Sequence, residues 1–266
     1  MLGSIIGDIV GSRFEFRNHR SKDFDLFADN CFATDDSVMT LAIAKAILTC
    51  EGNWAILSKQ AIKYMREIGC NRPLCGYGGM FHRWLFSHHP KPYNSYGNGA
   101  AMRVSPCGFI ATTEDEAKLL SRKVTKVTHN HEEGIKGAEA TTIAIFMARN
   151  GATKEEIKKR IEQDYYKLDF TLDDLRETYQ FNETCQGTVP QAIVAFLESV
   201  SFEDCIRNAI CIGGDSDTLA AIAGGIAEAH YGTPMSLRTE ALRYLDNELQ
   251  EIFYEWERIN KINRQG

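Results

Sequence analysis

A chain of 266 residues with 44% hydrophobic and 25% charged side chains has enough apolar material to bury one sizeable core, which excludes disorder as the default state. The formal net charge is −6 and no long Lys/Arg run occurs, so binding of nucleic acid over a broad basic face is disfavoured. A small anionic ligand held by backbone N–H groups stays open.

The opening, MLGSIIGDIVGSRFEF, lacks a positive n-region and carries Asp8 inside its apolar part, so it is a poor signal peptide. No apolar run reaches membrane-spanning length, and the eight cysteines include no C-x-x-C pair. These features predict a soluble protein with reduced core thiols in a cytoplasmic setting. Helical periodicity dominates and strand alternation is almost absent, which predicts an all-α fold. The predicted helices lie at 35–50, 54–68, 115–127, 132–149, 153–165, 188–199, 202–211, 216–230 and 236–260. Gly52, Gly69, Gly151, Gly232 and Pro234 punctuate helix ends, and Pro190 suits a first-turn position. No linker or fixed-period repeat divides the chain, so one domain over 1–266 is expected. The segment 73–102 is crowded with glycine and proline and is predicted to be a long loop region, a common place for function.

Two acidic turns precede apolar helices. The first lies in FATDDSVMTLAIAKAIL (32–48), with Thr34, Asp35, Asp36 and Ser37. The second lies in CIGGDSDTLAAIAGGIAEAHYG (211–232), with Asp215, Ser216, Asp217 and Thr218. Helix capping accounts for one oxygen-bearing side chain at each site. Metal binding accounts for all of them, because carboxylates next to a core must be paired, hydrogen-bonded or metal-bound. An oxygen-only donor set suits Mg²⁺, Mn²⁺ or Ca²⁺ rather than zinc. An EF-hand is excluded, since counting from Asp215 the sixth and twelfth places hold Ala220 and Ile226. Four aspartates exceed what one divalent ion requires, which favours two ions over one.

Taken together and in this order, GSIIGDIVGSRFEF, FATDDSVMTLA, YGNGAAMRVSP, VTHNH and GGDSDTLAAIAGGIAEAHYG resemble the ADP-ribosylglycohydrolase family, from about residue 3 to about residue 232. Each motif alone is weak, whereas the ordered set is specific. The resemblance implies a compact, orthogonal multi-helix bundle with a two-metal centre, usually two Mg²⁺ or Mn²⁺, that hydrolyses the bond to the anomeric carbon of ADP-ribose. Carried over position by position, it implies Thr34, Asp35, Asp36, Asp215, Asp217 and Thr218 as metal ligands. The first motif reads TDDS where many members have TDDT, a change after the ligands. The resemblance also implies that Glu15 acts in catalysis or gating, with Asp36 and Asp217 sharing in the chemistry. A carboxyl set between phenylalanines is in surroundings that raise its pKa. The polar stretch NHRSKDFDLFADN after it is compatible with a movable flap.

Within SYGNGAAMR, the turn Gly97, Asn98, Gly99 lets backbone N–H groups approach a diphosphate. A dinucleotide-fold fingerprint fails there, because Met102 occupies the third glycine position and no strand precedes the turn. Tyr96 either stacks on adenine, closes over the ribose or simply packs. His129 matches a family histidine near the phosphates, and His131 is expected on the surface. The implied substrate is an ADP-ribosylated protein or small molecule, with arginine-linked ADP-ribose first. ADP-ribosyl-serine, O-acetyl-ADP-ribose and ADP-ribosylated nucleic acid are the alternatives. A non-catalytic ADP-ribose binder and a two-metal phosphoesterase are the rival readings. A monomer with no membrane partner is expected.

Overall fold

The structure, a computed structural model, describes residues 1–263, and among them it contains fourteen α-helices and no β-sheet. In chain order these are α1 (Leu2–Gly11), α2 (Asp35–Cys50), α3 (Leu57–Cys70), α4 (Gly79–Leu85), α5 (Ser105–Ile110), α6 (Glu114–Thr125) and α7 (Glu132–Arg149). There follow α8 (Lys154–Asp164), α9 (Leu172–Arg176), α10 (Cys185–Leu197), α11 (Phe202–Cys211), α12 (Ser216–Tyr231), α13 (Met235–Ala241) and α14 (Asn247–Asn263). The all-α expectation holds.

Helix α12 is the hub, packed against α1, α7, α10 and α11. Its residues from Ser216 to Ala227 are all buried, and most are Ala, Gly or Ile, small enough for several neighbours to approach at once. The closest neighbour is α1. Gly3, Gly7 and Gly11 recur every fourth residue along one face of α1. A Cβ at Gly3 or Gly7 would overlap the backbone of Gly224 or Ala220, and one at Gly11 would sit 2.5 Å from Cα of Asp217. The two helices therefore meet backbone to backbone. That contact brings the C-terminal end of α1 to the N-terminus of α12, and α2 packs against both.

The periodicity missed α1, α4, α5 and α9. Helix α1 is buried on all sides and shows no polar stripe to reveal a period. The others are short, and α4 interrupts the segment expected to be a long loop. The predicted helix at 54–68 begins as a 3-10 turn, Trp54–Ile56, before α3. The predicted helix at 236–260 is broken: α13 runs into a 3-10 turn, Leu242–Tyr244, and α14 restarts after Leu245, where Asp246 Oδ1 accepts the Leu249 N–H at 3.0 Å. Pro190 lies inside α10 rather than in its first turn, because α10 already starts at Cys185.

Candidate metal centre

The N-termini of α2 and α12 face each other. Thr34 caps α2, accepting the Asp36 N–H, and Asp35 and Asp36 occupy the first turn. Behind this turn stands Asp8 of α1, fully buried. Its carboxylate accepts the Thr34 N–H at 3.0 Å, the Thr34 hydroxyl at 2.5 Å and the Ser37 N–H at 3.0 Å. With its proton committed to Asp8, the Thr34 oxygen presents lone pairs to the cavity that it lines.

The second turn is opened by Gly213 and Gly214, whose φ angles of 75° and 79° suit glycine. Asp215 follows at the cap position of α12, and Asp217 and Thr218 in its first turn. The Thr218 hydroxyl donates to Asp36 at 3.2 Å, joining two motifs 182 positions apart. The Asn98 amide donates to Asp215 at 2.7 Å, which ties in the glycine turn. All six expected ligands line one cavity of about 560 Å³.

Two carboxylate triads form there: Asp8, Asp36 and Asp217, and Glu15, Asp215 and Asp217, each with ligand atoms within 4.8 Å of one another. Asp217 belongs to both. Asp35 lies outside the triads, facing the cavity beside Gly76. Burial raises every carboxyl pKa in the group, Asp8 to about 6 and Asp215 upward, and repulsion from neighbouring acids adds to burial in holding Asp35, Asp36 and Asp217 well above the carboxylate range. One oxygen of Asp36 is buried without any hydrogen-bond partner. Hard oxygen donors, an orphaned carboxylate oxygen and repulsion that a cation would cancel all fit a divalent metal.

Glu15, in the turn after α1, is the one member of the second triad that does not come from the α12 motif. It is half-buried, and burial, then the charges of Asp215, Asp8 and Glu183, push its pKa up to about 7. Phe14 beside it is half-buried, but Phe16 is 82% exposed and stacks on Phe181 with ring centroids 6.0 Å apart. The segment after Glu15 is strapped down. Asn18 exchanges hydrogen bonds with Gly214 at 2.8 and 3.1 Å, and Arg20 donates to the carbonyls of Arg176, Ile212 and Tyr179. Arg207 holds the carbonyls of Lys22 and Phe24, both at 2.7 Å. The expected flap is thus anchored from Asn18 onward, and the Asn18 amide also donates to the Phe14 and Glu15 carbonyls at 3.1 and 3.0 Å, which holds the turn around Glu15 as well.

Gly97, Asn98, Gly99 and His129 line the same cavity. The turn is less open to an anion than its glycines suggest. The amides of Gly97, Asn98, Ala100, Ala101 and Met102 all donate within the chain, and among these hydrogen bonds none uses the Gly99 amide. Asn98 acts through its side chain as a brace for Asp215. Tyr96 does not line the cavity; its ring packs edge-on against His131, 5.1 Å between centroids. His131 is half-buried rather than on the surface, and it caps α7 by accepting the Glu133 N–H at 3.1 Å. Asp8 and the bracing role of Asn98 were missed from sequence. A charge embedded in IIGDIVG with apolar neighbours on every side was the available signal, because it requires a polar partner somewhere in the fold.

The chain resembles known proteins over nearly its full length. The family model described as ADP-ribosylglycohydrolase matches residues 1–262. ADP-ribosylhydrolase ARH3 of Homo sapiens is 24% identical over 310 residues, covering 87% of this chain and 84% of that protein. ADP-ribosylarginine hydrolase Tri1 of Pseudomonas putida (strain GB-1) is 26% identical over 266 residues, covering 87% and 69%. A solved structure titled ADP-ribosylglycohydrolase-related protein complex shares the fold, with a TM-score of 0.69, 22% identity and coverage of 97% and 95%. On the strength of the family match, and with its carboxylate turns gathered around one cavity, this chain belongs to the ADP-ribosylglycohydrolase family, whose named relatives are ADP-ribosylhydrolases.

Proposed function

We propose that the protein hydrolyses the glycosidic bond between ADP-ribose and a modified target, most readily arginine-linked ADP-ribose on protein, and releases free ADP-ribose. The observation that carries this reading is the pair of carboxylate triads that share Asp217 and include Glu15, in a cavity also lined by Gly99 and His129. The relative named ADP-ribosylarginine hydrolase supports the choice of linkage. Thr34, Asp35, Asp36, Asp215, Asp217 and Thr218 would hold two Mg²⁺ or Mn²⁺. Such ions supply charge stabilisation and a polarised water beside the anomeric carbon.

The chain's own groups do the rest. Gly99 and His129 hold the diphosphate end, fixing the ribose over the carboxylates. Glu15, whose protonated form is favoured by burial, gives a proton to the leaving nitrogen as the glycosidic bond breaks; it then accepts a proton from the attacking water. The carboxylates below stabilise the oxocarbenium-like centre as it forms. Asn98 keeps Asp215 in place, and Asp8 does the same for Thr34. The protein works as a monomer in a reducing cytoplasmic compartment, a setting that suits its eight free cysteines.

A panel of defined ADP-ribosylated substrates, linked through arginine, serine, acetate or a nucleic-acid base, tests the proposal. Each is incubated with protein and Mg²⁺, and products are read by mass spectrometry. Free ADP-ribose from the arginine linkage is expected. AMP would indicate phosphoester cleavage, and unchanged ligand would indicate a binder.

A further inference from the structure

Arg103 is a fully buried cation, 1% exposed, whose Nε has no hydrogen-bond partner and which enters no ion pair among the described residues. Its Nη2 donates to the Thr128 hydroxyl oxygen at 2.6 Å. That oxygen lies 2.7 Å from His129 Nδ1 and 3.3 Å from the Thr125 carbonyl. Thr128 and His129 are buried as well.

A hydroxyl has one proton to give. An oxygen that already accepts from a guanidinium is polarised into a stronger donor and a poorer second acceptor. The Thr128 proton therefore follows the shorter contact to His129 Nδ1. Burial and the charge of Arg103 hold the His129 pKa well below its usual value, so the ring is neutral. A neutral imidazole that accepts at Nδ1 carries its hydrogen on Nε2. Nε2 faces the glycine turn, 3.5 and 3.4 Å from where Cβ atoms on Gly97 and Gly99 would stand. With most of the turn's amides already engaged, this N–H is one of the few donors left beside the turn.

We propose that Arg103 and Thr128 form a relay that fixes His129 as its Nε2–H tautomer, making it a hydrogen-bond donor to a diphosphate lodged against the Gly97–Gly99 turn. The identity of the anion rests on the proposed function, whereas the tautomer does not. The opposite tautomer would aim a lone pair at the anion and repel it. Arg103 and Thr128 are positioning residues, acting through His129. The buried Arg103 guanidinium also borders the cavity, and its charge adds attraction for an anion where little solvent screens it.

The test begins without ligand or metal. Nitrogen-15 NMR of histidine-labelled protein, with the His129 signals assigned by their loss in His129→Gln, is expected to show a protonated Nε2 and an accepting Nδ1. Thr128→Val should mix the tautomers and weaken ADP-ribose binding in EDTA, measured by calorimetry, by about 10-fold. Thr128→Ser should restore both, which separates the hydroxyl from packing. A wild-type proton on Nδ1, or a folded Thr128→Val protein with unchanged affinity, would overturn the relay. Failure of the wild-type protein to bind ADP-ribose would count against the proposed function instead, and the tautomer spectrum would still decide the relay.

Discussion

Asp217 is repelled by Asp215, Asp36 and Glu15, since it belongs to both triads and forms no ion pair with a cationic side chain among the described residues. Its raised pKa means that the ionised form weakens the cation-free fold. Asp217→Asn keeps the shape and removes the charge. In EDTA the variant is expected to melt a few degrees above wild type while releasing no ADP-ribose in Mg²⁺, and a lower melting temperature in EDTA would contradict the repulsion argument. Glu15→Gln tests the proton-transfer role. It should lower kcat by about 10²- to 10⁴-fold with ADP-ribose affinity little changed. Parallel losses of affinity and metal occupancy would point to a gate, and near-wild-type values for both would remove Glu15 from the mechanism. The acidic residues of the two turns were legible because each turn sets its polar side chains together in sequence. Asp8 was not, since its partners Thr34 and Ser37 lie 26 and 29 positions away and no local pattern links them. The Arg103–Thr128–His129 contact was hidden for the same reason.

Helices with one polar face announce themselves, and α6, α8 and α11 fall within a residue or two of their predicted bounds. Helix α1 has no such face, yet it sets the geometry of the site by carrying Asp8 and delivering the Glu15 turn. Its glycines read as loop-formers until the partner helix is known. Gly7→Ala, mild on an exposed helix, should here cost on the order of 1–3 kcal/mol by forcing α1 away from the Ala220 carbonyl. Because the same contact aligns the triads, the variant should also bind Mg²⁺ more weakly. Calorimetric titration alongside thermal melting checks both effects, and unchanged values would mean that the helices can separate without disturbing the site.

For the molecule as a whole, the buried acids govern how stability responds to pH. Their folded-state pKa values are raised, Asp8 from 3.8 to about 6 and Glu15 from 4.5 to about 7. Groups shifted this way contribute their full stability below pH 4 and lose it as pH climbs through 6 and 7. Cation-free protein should therefore melt lower at pH 8 than at pH 5, by on the order of 5 °C, and saturating Mg²⁺ should shrink or reverse the difference. A melting temperature in EDTA that is flat across this range would contradict the account. The α1–α12 contact has a consequence for biosynthesis. Helix α1 is synthesised well ahead of α12, the intervening chain running from residue 12 to residue 215, so at about 5–20 residues per second an almost wholly apolar helix waits roughly 10–40 s for its main partner. A message cut short before the α12 codons yields a polypeptide in which α1 keeps its contact with α2 but lacks the helix it packs against most closely.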